Sequence, residues 1–377
     1  MFIFATLYSF QPLLPLLTEE FSISVTYASM TMSLTSLSLI AGLIVLGFLS
    51  DRKGRVLFIK LSILLSLLSI LLIPFVDSYF TILLLRIIQG FTLAGVPAAA
   101  LAYIAEEIET ESRQLATALY ISTNALGGMI GRIVTGYLSE QYNWQGALII
   151  FAIFGAFVFI FVLFTLPKSN NFQPSVMSFK EDLKGFSYHL INPSLLLMFG
   201  LGVILQITFT GMWTYLPLHL SSPPFSLSME SISLTYFAYS FGIIGAPLAS
   251  WLSKRYQLEK IRIIAILILV TGIICTLFDA LFVVLFGLCI TCFGFFTAHS
   301  LTAASVGQTA IHLKGSASSL YLVSYYIGIA SGSTLIYPLW EVWNWNGMNV
   351  VTITLLILYL AFFYYALLKL NRKSRKE

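Results

Sequence analysis

Three side chains able to carry charge or move a proton stand inside long apolar runs of this sequence: Arg86, Arg132 and His299. An arginine in such surroundings is expensive, so it must face a water-filled cavity, a partner or backbone carbonyls. His299 is the only mid-run group whose unperturbed pKa lies near neutrality. A lone histidine on a helix also reads as a hydrogen-bonded packing residue. No Asp or Glu stands mid-run. Asp77, Glu140, Glu230, Asp279 and Glu341 lie at run ends, and Glu106, Glu107, Glu109 and Glu111 cluster at another. Proton handling therefore falls to His299, to Glu106 and Glu107, or to nothing. The sequence has no H-E-x-x-H, no G-x-S-x-G and no mid-run carboxylate pair, so it reads as no enzyme, with no metal and no cofactor. Cys289 and Cys292 form a C-x-x-C, but on a helix that spacing only places two small residues on one face.

Long apolar helices are needed to hold these residues. The 377 residues are 58% hydrophobic and 10% charged. Soluble domains run about 45–50% apolar and about 25% charged, so the chain reads as a polytopic membrane protein. A spanning helix needs roughly 20 apolar residues. Twelve candidate runs satisfy that, near 1–17, 27–49, 57–76, 79–104, 115–138, 146–166, 194–219, 231–252, 262–278, 281–305, 316–338 and 347–368. Of the 20 Lys and Arg residues, all but Arg86 and Arg132 fall in alternate connections. Excess Lys and Arg mark the cytoplasmic side, which puts both termini there. The net charge of +4 is therefore a membrane-orientation signal and not a nucleic-acid one.

The sequence repeats. Tyr142-Asn-Trp144-Gln-Gly146 returns as Trp343-Asn-Trp345-Asn-Gly347, 201 positions on. At the same offset Leu119-Tyr120 returns as Leu320-Tyr321, and Gly127 and Gly131 as Gly328 and Gly332. Phe21-Ser-Ile-Ser24 returns as Phe225-Ser-Leu-Ser228, and Asp51-Arg52-Lys53, degraded, as Ser253-Lys254-Arg255. This divides the chain into 1–166, a linker at 167–193 and 194–377. Pro15 aligns with Pro217, so the first run reads as about ten residues short beside its counterpart, from a misassigned start at Met1 or a truncation. In the linker, Phe179, Leu183, Phe186 and Leu190 make one apolar stripe beside Lys180 and Lys184, suited to the inner leaflet.

The stretch Gly47 to Arg55, GFLSDRKGR, joins two apolar runs so tightly that their helices must be antiparallel neighbours. Such a hinge needs glycine, whose φ > 0 conformations carry no Cβ penalty. The stretch resembles the signature loop between the second and third helices of the major facilitator superfamily, roughly G-x-L-x-D-R-x-G-R. Gly47, Leu49, Asp51, Arg52, Gly54 and Arg55 all match. Arg86-Ile-Ile-Gln89-Gly90 is similar to that family's R-x-x-Q-G motif. Gly127-Gly-Met-Ile-Gly131-Arg132-Ile-Val-Thr-Gly136 resembles the glycine-rich fifth-helix motif of its drug:proton antiporter branch. Arg132 departs from the branch, which usually has proline there. That arginine, the F-x-x-x-H ending at His299 and the run Ser318–Leu322 are similar to a YnfM-type subgroup of bacterial inner-membrane proteins.

The resemblance implies an all-α fold of twelve transmembrane helices in two six-helix bundles, with the first helix truncated. It implies a secondary transporter of the bacterial cytoplasmic membrane, working by alternating access and exporting small organic solutes, drug- or sugar-like, against protons. A facilitator, an uptake symporter or a non-transporting sensor on the same fold are the alternatives. The expected partners are a small-molecule substrate, the bilayer and protons, with a monomeric chain. The signature residues Gly47, Asp51, Arg52, Gly54 and Arg55 would gate, Asp51 meeting the helix N-terminus near Gly315-Ser316. Helices 1, 4, 7 and 10 line the cavity in that family, which makes Tyr8, Gln11, Arg86, Gln89, Gln206, Trp213, Tyr215 and His299 cavity candidates. Glycines four apart let helix backbones approach closely, so Gly127, Gly131, Gly136, Gly328 and Gly332 are expected to pack helices. Gly242 and Gly245 are the expected surface facing Gly127 and Gly131.

Overall fold

Leu, Ile, Val, Phe and Ala fill runs too long for strands, and in apolar surroundings each backbone amide must be satisfied within its own segment, which the helix does. The computed structural model describes residues 1–175, 179–253, 255–310 and 314–374. Within these it leaves undescribed the side chains at 110, 113–115, 117–118, 121–122, 179–183, 246, 250, 314–315 and 371–374. Among the described residues there are helices and no strands. They are α1 (Phe2–Tyr8), α2 (Leu14–Glu20), α3 (Val25–Lys53), α4 (Arg55–Leu72), α5 (Tyr79–Leu93), α6 (Gly95–Glu107), α7 (Thr110–Thr165) and α8 (Phe179–Leu190). There follow α9 (Pro193–Ser221), α10 (Met229–Thr235), α11 (Tyr239–Ser253), α12 (Leu258–Cys275), α13 (Leu281–Thr309), α14 (Lys314–Thr334) and α15 (Tyr337–Ser374).

Eight helical stretches among the described residues are long and apolar enough to cross a membrane. One of them, Thr123–Thr165, holds two of the runs read from sequence, because α7 turns at Asn143 (φ 73°) without losing its helical assignment. Asn344 (φ 51°) does the same in α15. Both asparagines belong to the repeated Asn-Trp pair, and asparagine tolerates φ > 0 better than most residues. Each following tryptophan is buried. Trp144 Nε1 donates to Glu20 at 2.6 Å, and Trp345 Nε1 to the carbonyl of Thr276 at 2.8 Å. The repeated Phe-Ser-x-Ser is a helix start in both places. Ser24 caps α3 by accepting from Tyr27 N–H, and Ser228 caps α10 by accepting from Ser231 N–H.

The first apolar run differs from expectation. It is not one helix over 1–17 but α1 and α2, separated at Ser9–Leu13. Pro12 lacks the N–H a continuous helix would use, and its ring clashes with the preceding turn. The fourth run shows a milder interruption at Ala94, between α5 and α6.

The chain forms two compact units. One comprises Met1–Val176 with Leu216–Phe237, the other Met177–Tyr215 with Ala238–Glu377. In the linker, α8 forms over the proposed stripe. Phe179 and Leu183 lie outside the described side chains, Phe186 is half-buried and Leu190 is exposed.

Candidate transport site

In the first unit the signature turn consists of one residue. α3 ends at Lys53, α4 begins at Arg55, and Gly54 between them has φ 107°. No heavy atom lies within 4 Å of where its Cβ would stand, so the backbone and not crowding requires glycine. Gly47 is helical and merely approaches Ala98. Arg55 is buried, and its guanidinium joins Asp51 to Glu106, with Nη2 2.9 Å from Glu106 Oε1 and Nη1 3.1 Å from Ser50 Oγ. Arg52 lies 3.5 Å over the Phe48 ring. Glu107 accepts the backbone amides of Asn170 at 3.0 Å and Asn171 at 2.8 Å, and Ser175 N–H donates to the Asp51 carbonyl at 2.8 Å. Both glutamates that sequence left open for protons are thus engaged. Gly315, where the resemblance directs Asp51, lies outside the fully described residues.

Arg86 on α5 is fully buried. Its Nε donates to the Thr31 carbonyl at 3.2 Å, Nη1 to the Thr6 carbonyl at 3.3 Å and to Gln89 Oε1, and Nη2 to the Leu7 carbonyl at 3.0 Å. The Phe10 ring lies 4.4 Å from its guanidinium carbon. The last carbonyls of a helix lack intrahelical donors, and they carry partial negative charge that a cation satisfies. Arg86 therefore clamps the end of α1 where the first run breaks. Gln89 is buried too, donating to the Ser66 carbonyl at 3.2 Å.

Arg132 on α7 reaches the same break. Its Nε donates to Gln11 Oε1 at 2.6 Å and Nη1 to the Gly128 carbonyl at 2.6 Å. Its guanidinium carbon lies 3.9 Å from the Tyr8 ring and 5.6 Å from that of Tyr236. Two of the glycines that bring α7 this close, Gly127 and Gly131, face α1. A Cβ at Gly127 would collide with the Met1 backbone, one at Gly131 with the Ala5 backbone, and one at Gly136 with Ser233. Within the second unit, Gly242 and Gly245 meet Phe296 and Thr297 of α13. In the second unit Gly328 and Gly332 press on Val203 and Ile207 of α9, the same device with another helix.

His299 on α13 is half-buried within the second unit. Its Nδ1 lies 2.9 Å from Tyr321 Oη. Its ring stacks on Phe295 (centroids 5.8 Å) and Tyr321 (5.4 Å), with Tyr325 tilted at 4.9 Å. Phe295 in turn stacks on Phe209 at 3.8 Å. Trp213 is buried against Phe209 and Tyr239, and Tyr215 is buried with its hydroxyl donating to the Ser333 carbonyl at 3.1 Å. Gln206 donates to Thr210 at 3.0 Å.

The sequence profile described as the Major Facilitator Superfamily matches residues 1–333. The chain belongs to the Major Facilitator Superfamily. It is 35% identical over 355 residues to the "Uncharacterized MFS-type transporter YybF" of Bacillus subtilis, covering 94% of this chain and 88% of that one. It is 32% identical over 355 residues to the "Inner membrane transport protein YnfM" of Escherichia coli, covering 94% and 85%. A bacterial homologue of the human lysosomal transporter Spinster, solved inward-facing and unoccupied, superposes with a TM-score of 0.79 at 15% identity, over 97% of this chain and 94% of that one. The chain is thus an integral, multi-pass membrane protein of a transporter family with the superfamily fold.

Two residues escaped the sequence reading. Tyr321 was visible only as part of a repeat and of the run Ser318–Leu322, with no role attached. Arg262 was counted as a loop base, yet it lies inside α12 with 1% of its surface exposed. Its Nη1 is 3.3 Å from Ser305 Oγ, its Nε 3.5 Å from Tyr364 Oη, and its guanidinium carbon 5.1 Å from the Phe363 ring. The signal available was its position at i+4 from Leu258, on a helix that starts before the apolar run does.

Proposed function

We propose that this superfamily member is a proton-driven exporter of small organic solutes in the bacterial cytoplasmic membrane, with twelve crossings, both termini cytoplasmic and alternating access as its mechanism. The observation that carries alternating access is the Asp51–Arg55–Glu106 cluster at the Gly54 hinge. Asp51 is 41% and Glu106 25% exposed at the side chain. Ion pairs with such partial exposure contribute up to about 1 kcal/mol, so they can break and remake within a transport cycle. Export is supported by the similarity of the Gly127–Gly136 stretch to the drug:proton antiporter branch. Aromatic side chains around His299, with few charges, suit amphipathic organic solutes.

A second reading, an uncoupled facilitator, is favoured by the engagement of Glu106 and Glu107, which leaves His299 as the mid-span titratable group. Reconstitution into proteoliposomes separates the two. Internal pH is followed while solutes are screened with and without an imposed pH gradient. Proton movement driven by a solute, abolished in His299→Ala, is the expected result. Solute equilibration without proton movement would establish the facilitator.

A further inference from the structure

We propose that Tyr321 is the positioning residue of a recognition site at His299, committing Nδ1 to the protein so that Nε2, carrying the hydrogen, is the atom presented to a solute. The site takes a solute with a hydrogen-bond acceptor, such as a carbonyl oxygen, set beside a flat apolar face.

The asymmetry of the histidine is the starting point. Tyr321 is 2% exposed, whereas His299 is half-buried. Nδ1 has Tyr321 Oη at 2.9 Å, and Nε2 has no partner among the described residues. The tyrosine is held rigidly. A Cβ at Gly202 would stand 2.8 Å from its ring, so α9 presses on it where only glycine fits. Its other ring neighbour is His299 itself, stacked at 23°.

One hydroxyl has one hydrogen, and three acceptors compete for it. The His299 carbonyl is farther, at 3.3 Å, and lies within α13, where the helix supplies it a backbone donor. The Thr302 hydroxyl, whose own hydrogen goes to the Ala298 carbonyl at 2.8 Å, accepts only through a hydroxyl oxygen, a weaker base than an imidazole nitrogen. Imidazole Nδ1 is the strongest base of the three and, at 2.9 Å, nearer than the carbonyl. An unprotonated Nδ1 is therefore the acceptor, and the neutral ring then carries its hydrogen on Nε2.

Groups on the surrounding elements agree. Arg262 of α12 lies within electrostatic reach of the Tyr321 hydroxyl. A cation there favours the rotamer with the oxygen lone pairs toward it and the hydrogen away from it. From α14, Tyr321 and Tyr325 face the ring, and from α13, Phe295. Among the described residues no carboxylate pairs with His299, so nothing in the unit competes for the Nε2 hydrogen. Tyr325, which is only partly buried, supplies aromatic surface beside the ring, and Phe295 is buried behind it. This deepens the transporter reading and rests on it, but the test below requires no transport.

The full-length protein, labelled with 15N-histidine and held in nanodiscs, reports the tautomer through its ring-nitrogen shifts, with His299→Gln identifying the resonances. The expected spectrum shows Nδ1 unprotonated and Nε2 protonated. Tyr321→Phe should convert it to averaged tautomers while the other three histidines stay unchanged. An Nδ1–H tautomer in the wild-type protein overturns the proposal, even if the tyrosine variant fails to fold. So does an unaltered spectrum in Tyr321→Phe. Millimolar benzamide, a ring with a neutral acceptor, should move the Nε2 resonance, whereas benzylammonium, which has no acceptor, should not. An equal response to both, or to neither, overturns the donor role. A failed transport assay with the expected tautomer would refute only the transporter reading.

Discussion

Arg132 and Ser333 occupy corresponding places in the duplicated sequence, 201 residues apart. Both follow a pair of glycines that press on the first helix of their own half, α1 for Gly127 and Gly131, α9 for Gly328 and Gly332. The glycine geometry was kept while the side chain diverged. Arg132 spans to Gln11 and two tyrosine rings, whereas Ser333 turns back on its own helix, donating to the Ile329 carbonyl at 2.9 Å. Gly287 lies 201 residues after Arg86, and a Cβ there would sit 2.6 Å from the Gly272 carbonyl. Close approach of backbones leaves few alternatives to glycine, so duplication preserves it. Arg86 stands where it finds carbonyls, and the broken first helix of the first unit supplies two of them, those of Thr6 and Leu7.

Removing Arg86 should break this comparison most severely. Arg86→Ala leaves the Leu7 carbonyl and Gln89 Oε1 without the arginine donor, while the Thr6 carbonyl keeps Ser9 Oγ at 2.9 Å and the Thr31 carbonyl keeps Thr35 Oγ1 at 2.6 Å. Each buried group left bare costs about 1–3 kcal/mol, so loss of monodisperse protein in detergent is expected. Arg86→Lys lacks the planar fork and should fall between. Gly287→Ala, on α13 of the second unit, should cost about 1–3 kcal/mol by overpacking. Denaturation midpoints of the three variants test the order. A stable but transport-dead Arg86→Lys would move Arg86 from clamp to cavity.

The hinge and the repeated motifs were legible because each is a short contiguous pattern. Gly54 sits between two apolar runs, Ser24 and Ser228 precede their helices, and Asn143 and Asn344 precede buried tryptophans. The break in the first run was written in Pro12 and was read over, because apolar composition alone does not distinguish one helix from two. The Arg86 clamp was not legible, since its acceptors at Thr6, Leu7 and Thr31 are distant in sequence and are backbone atoms that no residue type announces. The same holds for the linker amides of Asn170 and Asn171, which hold Glu107. Arg262 was misplaced because a base next to a span boundary looks like any loop base.

An intermediate effect is expected at the signature cluster. Glu106→Gln removes one counter-charge from buried Arg55 while Asp51 remains. Because Glu106 is partly exposed, the loss should be about 1 kcal/mol. A cysteine introduced at Ala98, near Gly47, should then label faster with a membrane-impermeant maleimide. Unchanged labelling would show that the cluster does not gate.

The smallest effect should come from Arg262, whose partners are all neutral. Buried charge is worth keeping for stability only where its attraction repays desolvation, and replacing it with an apolar side chain of similar volume is often neutral or stabilising. Hydrogen bonds at 3.3 and 3.5 Å are weak. Neither partner is stranded by removing the arginine, because Ser305 Oγ also donates to the Leu301 carbonyl at 2.9 Å and Tyr364 Oη to the Glu259 carbonyl at 2.9 Å. Arg262→Met should therefore change unfolding stability by no more than about 1 kcal/mol, while Arg55→Met strands Glu106 and costs more. A loss at Arg262 as large as at Arg55 would erase the distinction between the halves. If stability holds but the His299 tautomer changes, the second unit has kept its arginine to orient Tyr321 and not to support the fold. The contrast with Arg55 would then lie in what each cation faces, a pair of carboxylates in one unit and a tyrosine hydroxyl in the other.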